Sequence, residues 1–243
     1  MIDDNPAVSY FDLGVQHLYY CRATGGTGSA WGTPQLLDDN TGVTSAYSSG
    51  EFNSLAVIDG HPAVSYLTRV SEISAGYHLR FIRASDATGG GWNAPLSVDV
   101  AQQIAQGTSL GLLGDGWPAI AYTDPAQDRL LFVKGAADDG SSWATPQTAA
   151  TTSGALGAVS PVFFLADGRP AVAFIDASAG GSTLKFVRAL DGSGTTWQAA
   201  ETVATLGGFG TIVDAAIVGG MEAVCYQDDL TGTLWFSICV PLP

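Results

Sequence analysis

The segment HPAVSYLT, residues 61–68, belongs to a motif that occurs five times in the chain. In four copies a proline stands second, and in all of them small and β-branched residues lead to an aromatic ring. The copies are NPAVSYFD at 5–12, HPAVSYLT at 61–68, WPAIAYTD at 117–124, RPAVAFID at 169–176 and MEAVCYQD at 221–228. Their prolines are 56, 56 and 52 residues apart, and periods of this size are typical of repeat architectures.

Three further blocks complete each repeat. A block such as HLRFIRA at 78–84 follows the motif, a Trp-led block such as GWNAPLSV at 91–98 comes next, and a block such as NSLAVIDG at 53–60 leads into the following copy. Each is short, rich in β-branched and aromatic residues and bounded by Gly, Pro, Asp or Ser, which is typical of strands. Asp-Gly pairs such as Asp59–Gly60 indicate hairpin turns.

Four antiparallel strands every fifty-odd residues indicate one propeller blade. A β-helix has shorter rungs, and a sandwich has no reason to repeat. We therefore predict an all-β fold, a five-bladed β-propeller of four-stranded antiparallel blades in one domain, 1–243. The repeats are approximately 1–53, 54–108, 109–159, 160–213 and 214–243. The NSLAVIDG type of block is expected innermost in each blade and the Trp-led block outermost.

The two ends of the repeat array are incomplete. Met1 and Ile2 align with the end of an inner strand, and the last repeat stops before its outer strand. The first and last blades should therefore lack one strand each. Either the ring closes with incomplete blades or the chain is part of a longer array.

A leucine and an aromatic ring two residues later recur in the second block of every repeat. Residues two apart share one face of a strand, so each pair is expected to pack on the neighbouring blade. The pairs are Leu18 and Tyr20, Leu79 and Phe81, Leu130 and Phe132, Leu184 and Phe186, and Leu234 and Phe236.

Charge and hydropathy exclude several classes of partner. The net charge is −14, which disfavours nucleic acid and anionic lipid surfaces. No apolar run reaches the roughly 18–20 residues of a membrane span, so membrane insertion is not expected. No signal peptide is visible. The cysteines Cys21, Cys225 and Cys239 lie in apolar strand-like runs and are expected to be small buried hydrophobes rather than disulfide partners.

The loop before each Trp-led block carries a further motif. AADDGSSW at 136–143 resembles the Asp-box hairpin, Ser-x-Asp-x-Gly-x-Thr-Trp, of sialidases and many other propellers, with Asp138, Gly140 and Trp143 at matching positions. The loops at 84–92 and 189–197 align with one extra residue, and the first loop has Gly25 in place of the acid. The box residues are then Asp86, Asp138, Asp191, Trp31, Trp92, Trp143 and Trp197.

The resemblance to bacterial Asp-box repeat proteins implies a structural role for these loops and an extracellular or cell-surface location. In the box the carboxylate accepts backbone N–H bonds and the Trp packs under the loop. The strand-end cations Arg83, Lys134 and Arg188 are expected to pair with the three box aspartates.

Ligand-binding residues are expected where the repeat breaks. The long connectors 38–53, 99–108, 150–159 and 204–213 should share one face of the propeller, and loops on a rigid scaffold are common binding sites. The candidates on that face are Tyr47, Phe209, Asp124 and Asp176, although the two aspartates equally suit turn caps. Trp117, on the opposite face, could stack on a sugar or a partner, or pack against a neighbouring blade.

These patterns favour a binding module for a glycan or a protein surface. A structural repeat segment of a larger surface protein is the alternative, and a sialidase-like glycoside hydrolase is least favoured, because the arginines are scattered and no glutamate is paired with a tyrosine by repeat phase. His17, His61 and His78 show no metal-ligand spacing. No enzymatic activity, cofactor or metal is therefore expected.

Overall fold

The computed structural model describes residues 1–41, 47–70, 76–100, 107–152, 155–159, 163–164, 168–178, 181–208, 213–219 and 221–239. Within these ranges all regular structure is β-strand, in 19 strands, and every strand pair is antiparallel. They form five sheets that follow one another along the chain.

Each sheet contains strands that are consecutive in sequence. The first holds β1 (Ala7–Asp12), β2 (His17–Arg22) and β3 (Gln35–Asp38). The second holds β4 (Ser48–Ile58), β5 (His61–Arg69), β6 (Tyr77–Arg83) and β7 (Leu96–Asp99). The third holds β8 (Thr108–Leu112), β9 (Pro118–Asp124), β10 (Arg129–Lys134) and β11 (Gln147–Thr151). The fourth holds β12 (Ala155–Val159), β13 (Phe163–Phe164), β14 (Pro170–Ser178), β15 (Gly181–Arg188) and β16 (Glu201–Leu206). The fifth holds β17 (Val213–Val218), β18 (Met221–Asp228) and β19 (Thr233–Cys239).

The all-β prediction is confirmed, and five antiparallel sheets are compatible with five blades. Packing joins successive sheets, whereas closure into a ring is not shown. Two details of the prediction are wrong. The fourth sheet has five strands, because its first strand is divided into β12 and β13. The last strand of a complete repeat starts four residues after the Trp, which itself lies in a loop and makes only an isolated bridge.

The sheets pack through two faces of different composition. The forward face, toward the next sheet in the chain, carries the Leu–aromatic pair, such as Leu79 and Phe81 of β6. The rear face, toward the preceding sheet, carries residues such as Val64, Tyr66 and Ile82. Each buried side chain contributes about 1.5–3 kcal/mol, so contacts between sheets are the main source of stability.

Aromatic rings mark three of these interfaces. Each ring of a Leu–aromatic pair meets the Trp of the next sheet edge to face, at centroid distances of 5.0 to 5.1 Å. The pairs are Tyr20 with Trp92, Phe81 with Trp143 and Phe132 with Trp197. Such arrangements are favourable beyond the area that they bury.

A hydrogen bond from a buried tyrosine to an aspartate accompanies the apolar contacts at two of the interfaces. Asp38 stands opposite Leu18, and its carboxylate accepts a hydrogen bond of 2.6 Å from Tyr66. At the next interface Asp99 stands opposite Leu79, and its carboxylate accepts a hydrogen bond of 2.6 Å from Tyr122.

The third interface replaces both members of this pair. Ala150 stands opposite Leu130, and the ring on the facing sheet is Phe174, which has no hydroxyl. The acceptor and the donor are therefore lost together, and no buried polar group is left unpaired.

We expect Phe132→Ala to lower the free energy of unfolding by about 3–5 kcal/mol, because it leaves a cavity between two sheets. Phe236→Ala is the matched control, since the equivalent ring of the fifth sheet is 58% exposed. It should cost less than about 1 kcal/mol. Denaturant unfolding at low protein concentration measures both, and equal losses would contradict the proposed role of the interface.

Candidate functional site

The turns and connectors lie at two opposite ends of the sheets. At one end, the connector end, the long connectors meet the turns between the second and third strands of a repeat. The Ser49 N–H donates to the Gln16 carbonyl at 3.0 Å, and the Thr152 N–H donates to the Asp128 carbonyl at 2.8 Å. The loops with the Trp residues and the Asp-Gly turns lie at the other end, the Trp-loop end.

The strand-end cations bind the tight turns of the Trp-loop end. Arg83 forms an ion pair of 2.8 Å with Asp59 and donates to the Ile58 carbonyl at 3.0 Å. Lys134 forms one of 2.6 Å with Asp115. The predicted pairing with the loop aspartates is therefore wrong, because the hairpin turn of the same sheet lies closer to the cation.

Arg188 departs from the prediction in another way. It bonds Glu201 at 3.1 Å and Glu222 of the next sheet at 3.2 Å, rather than Asp191.

Asp86 and Asp191 organise the loops in which they lie. Asp86 accepts the N–H groups of Thr88, Gly90 and Gly91 at 2.7 to 3.0 Å. The Thr88 hydroxyl and these N–H groups hold the pKa of Asp86 well below its usual range. Both carboxylates are therefore charged at neutral pH and fix the loop backbone.

Asp191 is bonded more densely still. It accepts three N–H and three hydroxyl bonds from Ser193, Thr195 and Thr196 at 2.6 to 3.1 Å. Partial burial works to raise the pKa of Asp191, but these hydrogen bonds outweigh it and lower the pKa well below its usual range.

The third loop corrects the sequence alignment. In all four loops the Trp bridges the residue eight positions earlier, so no loop has an extra residue. The position of Asp86 and Asp191 is then occupied by Ala137, not by Asp138. Asp139 accepts the Ser141 N–H at 2.8 Å, whereas Asp138 is exposed and makes no hydrogen bond within the described residues.

The predicted strand-end carboxylates are engaged in the fold. Asp124 is buried and paired with Arg129 at 2.7 Å, and Asp176 is buried and paired with Lys185 at 2.5 Å. Each pair uses one carboxylate oxygen to tie two neighbouring strands together, which gives these aspartates a role in the fold. Their assignment to a ligand site stays a prediction.

The remaining predicted ligand residues are not brought together. Trp117 lies at the other end of β9 from Asp124, packs partly against the core and has Lys134 Nζ 5.0 Å from its ring. Phe209 lies outside the described residues. Tyr47 is exposed at the connector end.

Tyr47 lies beside a set of polar groups that we call the Tyr47 site: Tyr47, Ser48, Glu51, Arg69 and Tyr77. Ser48, Arg69 and Tyr77 are lateral neighbours on β4, β5 and β6. The Tyr47 N–H donates to the Arg69 carbonyl at 2.7 Å, and the guanidinium lies 5.3 Å from the Tyr47 ring centre. The Tyr77 hydroxyl donates to Glu51 at 3.1 Å, and Ser48 donates to the same carboxylate.

Two bulges in β4 give this site its shape. The register shifts between Ser49 and Glu51 and again between Glu51 and Ser54. Gly50 has φ +109°, and a Cβ there would lie only 2.7 Å from the Leu18 side chain, so the first bulge requires glycine. Phe52 has φ +50° and is exposed. Positive φ is strained for a bulky residue, and such strain is concentrated at functional sites.

A buried network fixes the strands behind the site. The Asp38 carboxylate accepts hydrogen bonds from Ser49, Tyr66 and Arg80, and Ser49 also bonds Thr68 at 2.6 Å. The Tyr47 site therefore lies on a rigid support.

The electrostatics of the site keep its phenol protonated. Burial, the Glu51 charge and the hydrogen bond to Glu51 raise the pKa of Tyr77, against a smaller opposing effect of Arg69. The Tyr77 phenol therefore stays protonated at neutral pH and is the donor in its hydrogen bond to Glu51. The site presents one exposed aromatic ring beside a carboxylate and a phenol, with the Arg69 guanidinium close to the ring. Within the described residues no group of three or more His, Cys, Asp and Glu side chains could hold a metal ion.

Sequence reasoning found Tyr47 but missed Glu51 and Tyr77. Their pairing depends on the bulges of β4, which place Glu51 opposite Leu67, and no repeat carries an equivalent pair. The exposed Tyr in a connector was the only signal for the site in the sequence.

No protein-family model matches the chain, and no curated protein matches it by sequence. Among solved structures, a lectin from Burkholderia pseudomallei matches with a TM-score of 0.64 at 15% identity. The match covers 97% of this chain and 67% of the lectin chain. An endo-arabinase from Bacteroides thetaiotaomicron has a TM-score of 0.56 at 11% identity, with coverages of 98% and 94%. A protein of unknown function from Dyadobacter fermentans has a TM-score of 0.56 at 15% identity and covers 86% of this chain. This chain spans 64% of the Dyadobacter protein's length. The chain is thus similar to propeller-type proteins in fold.

The expectation that the chain is not an enzyme is wrong. Several structures that share its fold are named as glycoside hydrolases, among them the endo-arabinase, and another is named as a polysaccharide lyase. The absence of a familiar catalytic motif in the sequence is therefore no ground for excluding catalysis. Within the described part of the chain, no helix is long and apolar enough to span a membrane.

We expect Asp191→Ala to lower the free energy of unfolding by about 1 kcal/mol at pH 7, since several loop donors lose their acceptor. Asp138→Ala is the matched control and should change it by less than about 0.5 kcal/mol. The folded-state pKa of Asp191 is depressed, so its contribution is present above the unfolded pKa of about 3.9 and declines as the pH falls below that value. Thermal unfolding from pH 7 to pH 2.5 measures both variants. A larger effect of Asp138→Ala would restore the original alignment.

Proposed function

We propose that this protein recognises a neutral glycan at the Tyr47 site. The observation that carries the proposal is one aromatic ring, 39% exposed, held by Arg69 beside the Glu51–Tyr77 pair. A sugar presents an apolar C–H face to such a ring and hydroxyl groups to the carboxylate and the phenol beside it. Aromatic rings with a few well-placed polar groups are typical of ligand sites.

The fold and the charge of the chain support the same ligand class. The structural neighbours include a lectin and enzymes that act on glycans. The net charge of −14 repels polyanions and leaves neutral sugars as the better ligands. An extracellular or cell-surface location fits such a ligand.

We also propose that the five sheets are blades of one propeller-type domain, 1–243. The hydrogen bonds of Asp86 and Asp191 support an assignment of their loops to the Asp-box type. The loops of the Trp-loop end then stabilise the blades, and recognition occurs at the connector end.

A glycan array with the 243-residue chain, followed by calorimetry on the best ligand, tests the proposal. Tyr47→Ala should weaken binding about tenfold or more, as expected for a central aromatic contact. Tyr77→Phe and Glu51→Gln should weaken it by smaller factors, because each removes one hydrogen-bonding group. Release of reducing ends from the same ligands shows whether binding is accompanied by cleavage.

Trp117→Ala is the control at the opposite end of the sheets. It should leave the dissociation constant unchanged while the protein stays folded by circular dichroism. Binding that survives Tyr47→Ala and is lost in Trp117→Ala would place the site at the Trp-loop end and refute the proposal. A chain that binds no glycan would also refute it.

A further inference from the structure

Within the described residues, nothing covers the forward face of the fifth sheet. Leu234 and Phe236 of β19 are the Leu–aromatic pair of this sheet, and they are 71% and 58% exposed. The equivalent pairs of the first four sheets are almost completely buried. Trp235 and Ile238 on the same strand are also exposed. The fifth sheet thus presents the same packing surface as the others, without the sheet that would cover it.

Each covered ring of the first three sheets enters an aromatic pocket on the next sheet. The pocket consists of a loop glycine at positive φ and the Trp three residues after it. A Cβ on Gly89 would lie 2.7 Å from the Tyr20 ring, and a Cβ on Gly140 would lie 2.7 Å from the Phe81 ring. The third pocket has the same form.

In that third pocket Gly194 lies under the Phe132 ring, and Trp197 packs on its face. The glycine lets the ring reach the loop backbone, and the Trp meets the ring edge to face.

The first sheet carries a fourth pocket of this type, and no ring occupies it. Gly28 has φ +66°, and the only atoms within 4 Å of a Cβ built there belong to Pro6. Trp31, three residues later, is 44% exposed, whereas its three counterparts pack against rings of the preceding sheet. The bridge from Trp31 to Ala23 is the same as in the other loops. The loop thus has the conformation of an aromatic pocket without its ring.

The surface around the empty pocket has the composition of a rear face. Val8 of β1 occupies the repeat position of Val64, but Val8 is exposed and Val64 is fully buried. Leu36 of β3, which pairs with Tyr19 of β2 across the sheet, is also exposed. Tyr19 stacks on Tyr10, with ring centres 5.5 Å apart. Within the described residues, no sheet packs on this apolar rear face.

We propose that the forward face of the fifth sheet binds the rear face of the first sheet of a second copy, with Phe236 entering the pocket of Gly28 and Trp31. The two faces are the two halves of an interface that the chain already forms between its own successive sheets. A second copy supplies the missing half at both ends, and the structure leaves both halves of one chain exposed. In a closed propeller the first sheet of the same chain would occupy the forward face instead, and such a chain would stay monomeric at every concentration.

This contact is head to tail, so it joins two different surfaces. Every bound copy keeps one free face of each kind, and assembly continues with rising concentration unless it closes into a ring. The net charge of −14 opposes the association of copies, and salt screens this repulsion. Association should therefore be stronger at 0.5 M than at 0.05 M sodium chloride.

Sedimentation velocity of the 243-residue chain from about 1 to 200 μM is the first test. The weight-average sedimentation coefficient should rise with concentration, and more steeply at high salt. Phe236→Asp should weaken association at least about 30-fold, as for a central contact residue. Leu13→Asp, in an exposed turn, is the control and should associate like the original chain. A chain that stays monomeric at every concentration and salt level would overturn the proposal.

Mixing two variants tests the head-to-tail arrangement itself. Phe236→Asp disrupts the forward face of the fifth sheet and leaves the rear face of the first sheet intact. Val8→Asp disrupts the rear face of the first sheet and leaves the forward face of the fifth sheet intact. Each variant alone should be monomeric and should keep the circular dichroism spectrum of the original chain, since both positions are exposed. An equimolar mixture should form a one-to-one heterodimer and nothing larger, because only one intact interface remains.

Two outcomes of the mixing experiment contradict the arrangement. Nonspecific contacts between apolar patches would let each variant associate with itself. A symmetric contact between two fifth sheets would leave Val8→Asp fully associating and Phe236→Asp monomeric in the mixture. Trp31→Ala repeats the test at the pocket, and association equal to that of the original chain would exclude the pocket as the binding site of Phe236.

Discussion

The contact between an aromatic ring on one sheet and a glycine–tryptophan loop on the next is the interaction on which the architecture depends. It sets the distance between sheets, because the Gly89 loop can approach the Tyr20 ring only without a side chain. It also explains why the loop aspartates matter for stability: Asp86 and Asp191 hold the loop backbone in the conformation that receives the ring. Loop, ring and sheet packing thus form one cooperative unit at three of the interfaces between sheets.

The strands could be predicted from the sequence because strand formation depends on local patterns that recur five times. The finer register could not. In AADDGSSW the motif spacing selects Asp138, whereas the bridge between Gly135 and Trp143 places Ala137 at the position of Asp86 and Asp191. The partners of Arg83 and Lys134 were missed for a similar reason. The nearest acid in the sequence is not the nearest acid in a hairpin-linked sheet, where Asp59 and Asp115 face the strand end.

The candidate site was only partly predictable because it is formed by departures from the repeat. Tyr47 is visible as an exposed aromatic residue in a connector, but its neighbours Glu51 and Tyr77 meet only because β4 contains two bulges. A bulge changes the face on which a side chain lies, and sequence periodicity assumes that no bulge is present. The repeated positions therefore describe the scaffold, while the irregular ones form the candidate site.

The buried Asp–Tyr pairs have a consequence for how such a chain can gain repeats. Duplication of the second repeat in tandem would set Tyr66 of the new copy against Asp99 of the old one, so that the buried phenol keeps its acceptor. Duplication of the third would set Tyr122 against Ala150 and leave a buried hydroxyl without a partner, at a cost of about 1–3 kcal/mol. Some tandem duplications thus leave the stability of the protein unchanged, and others lower it. The residues at the interface therefore influence which repeats can be duplicated.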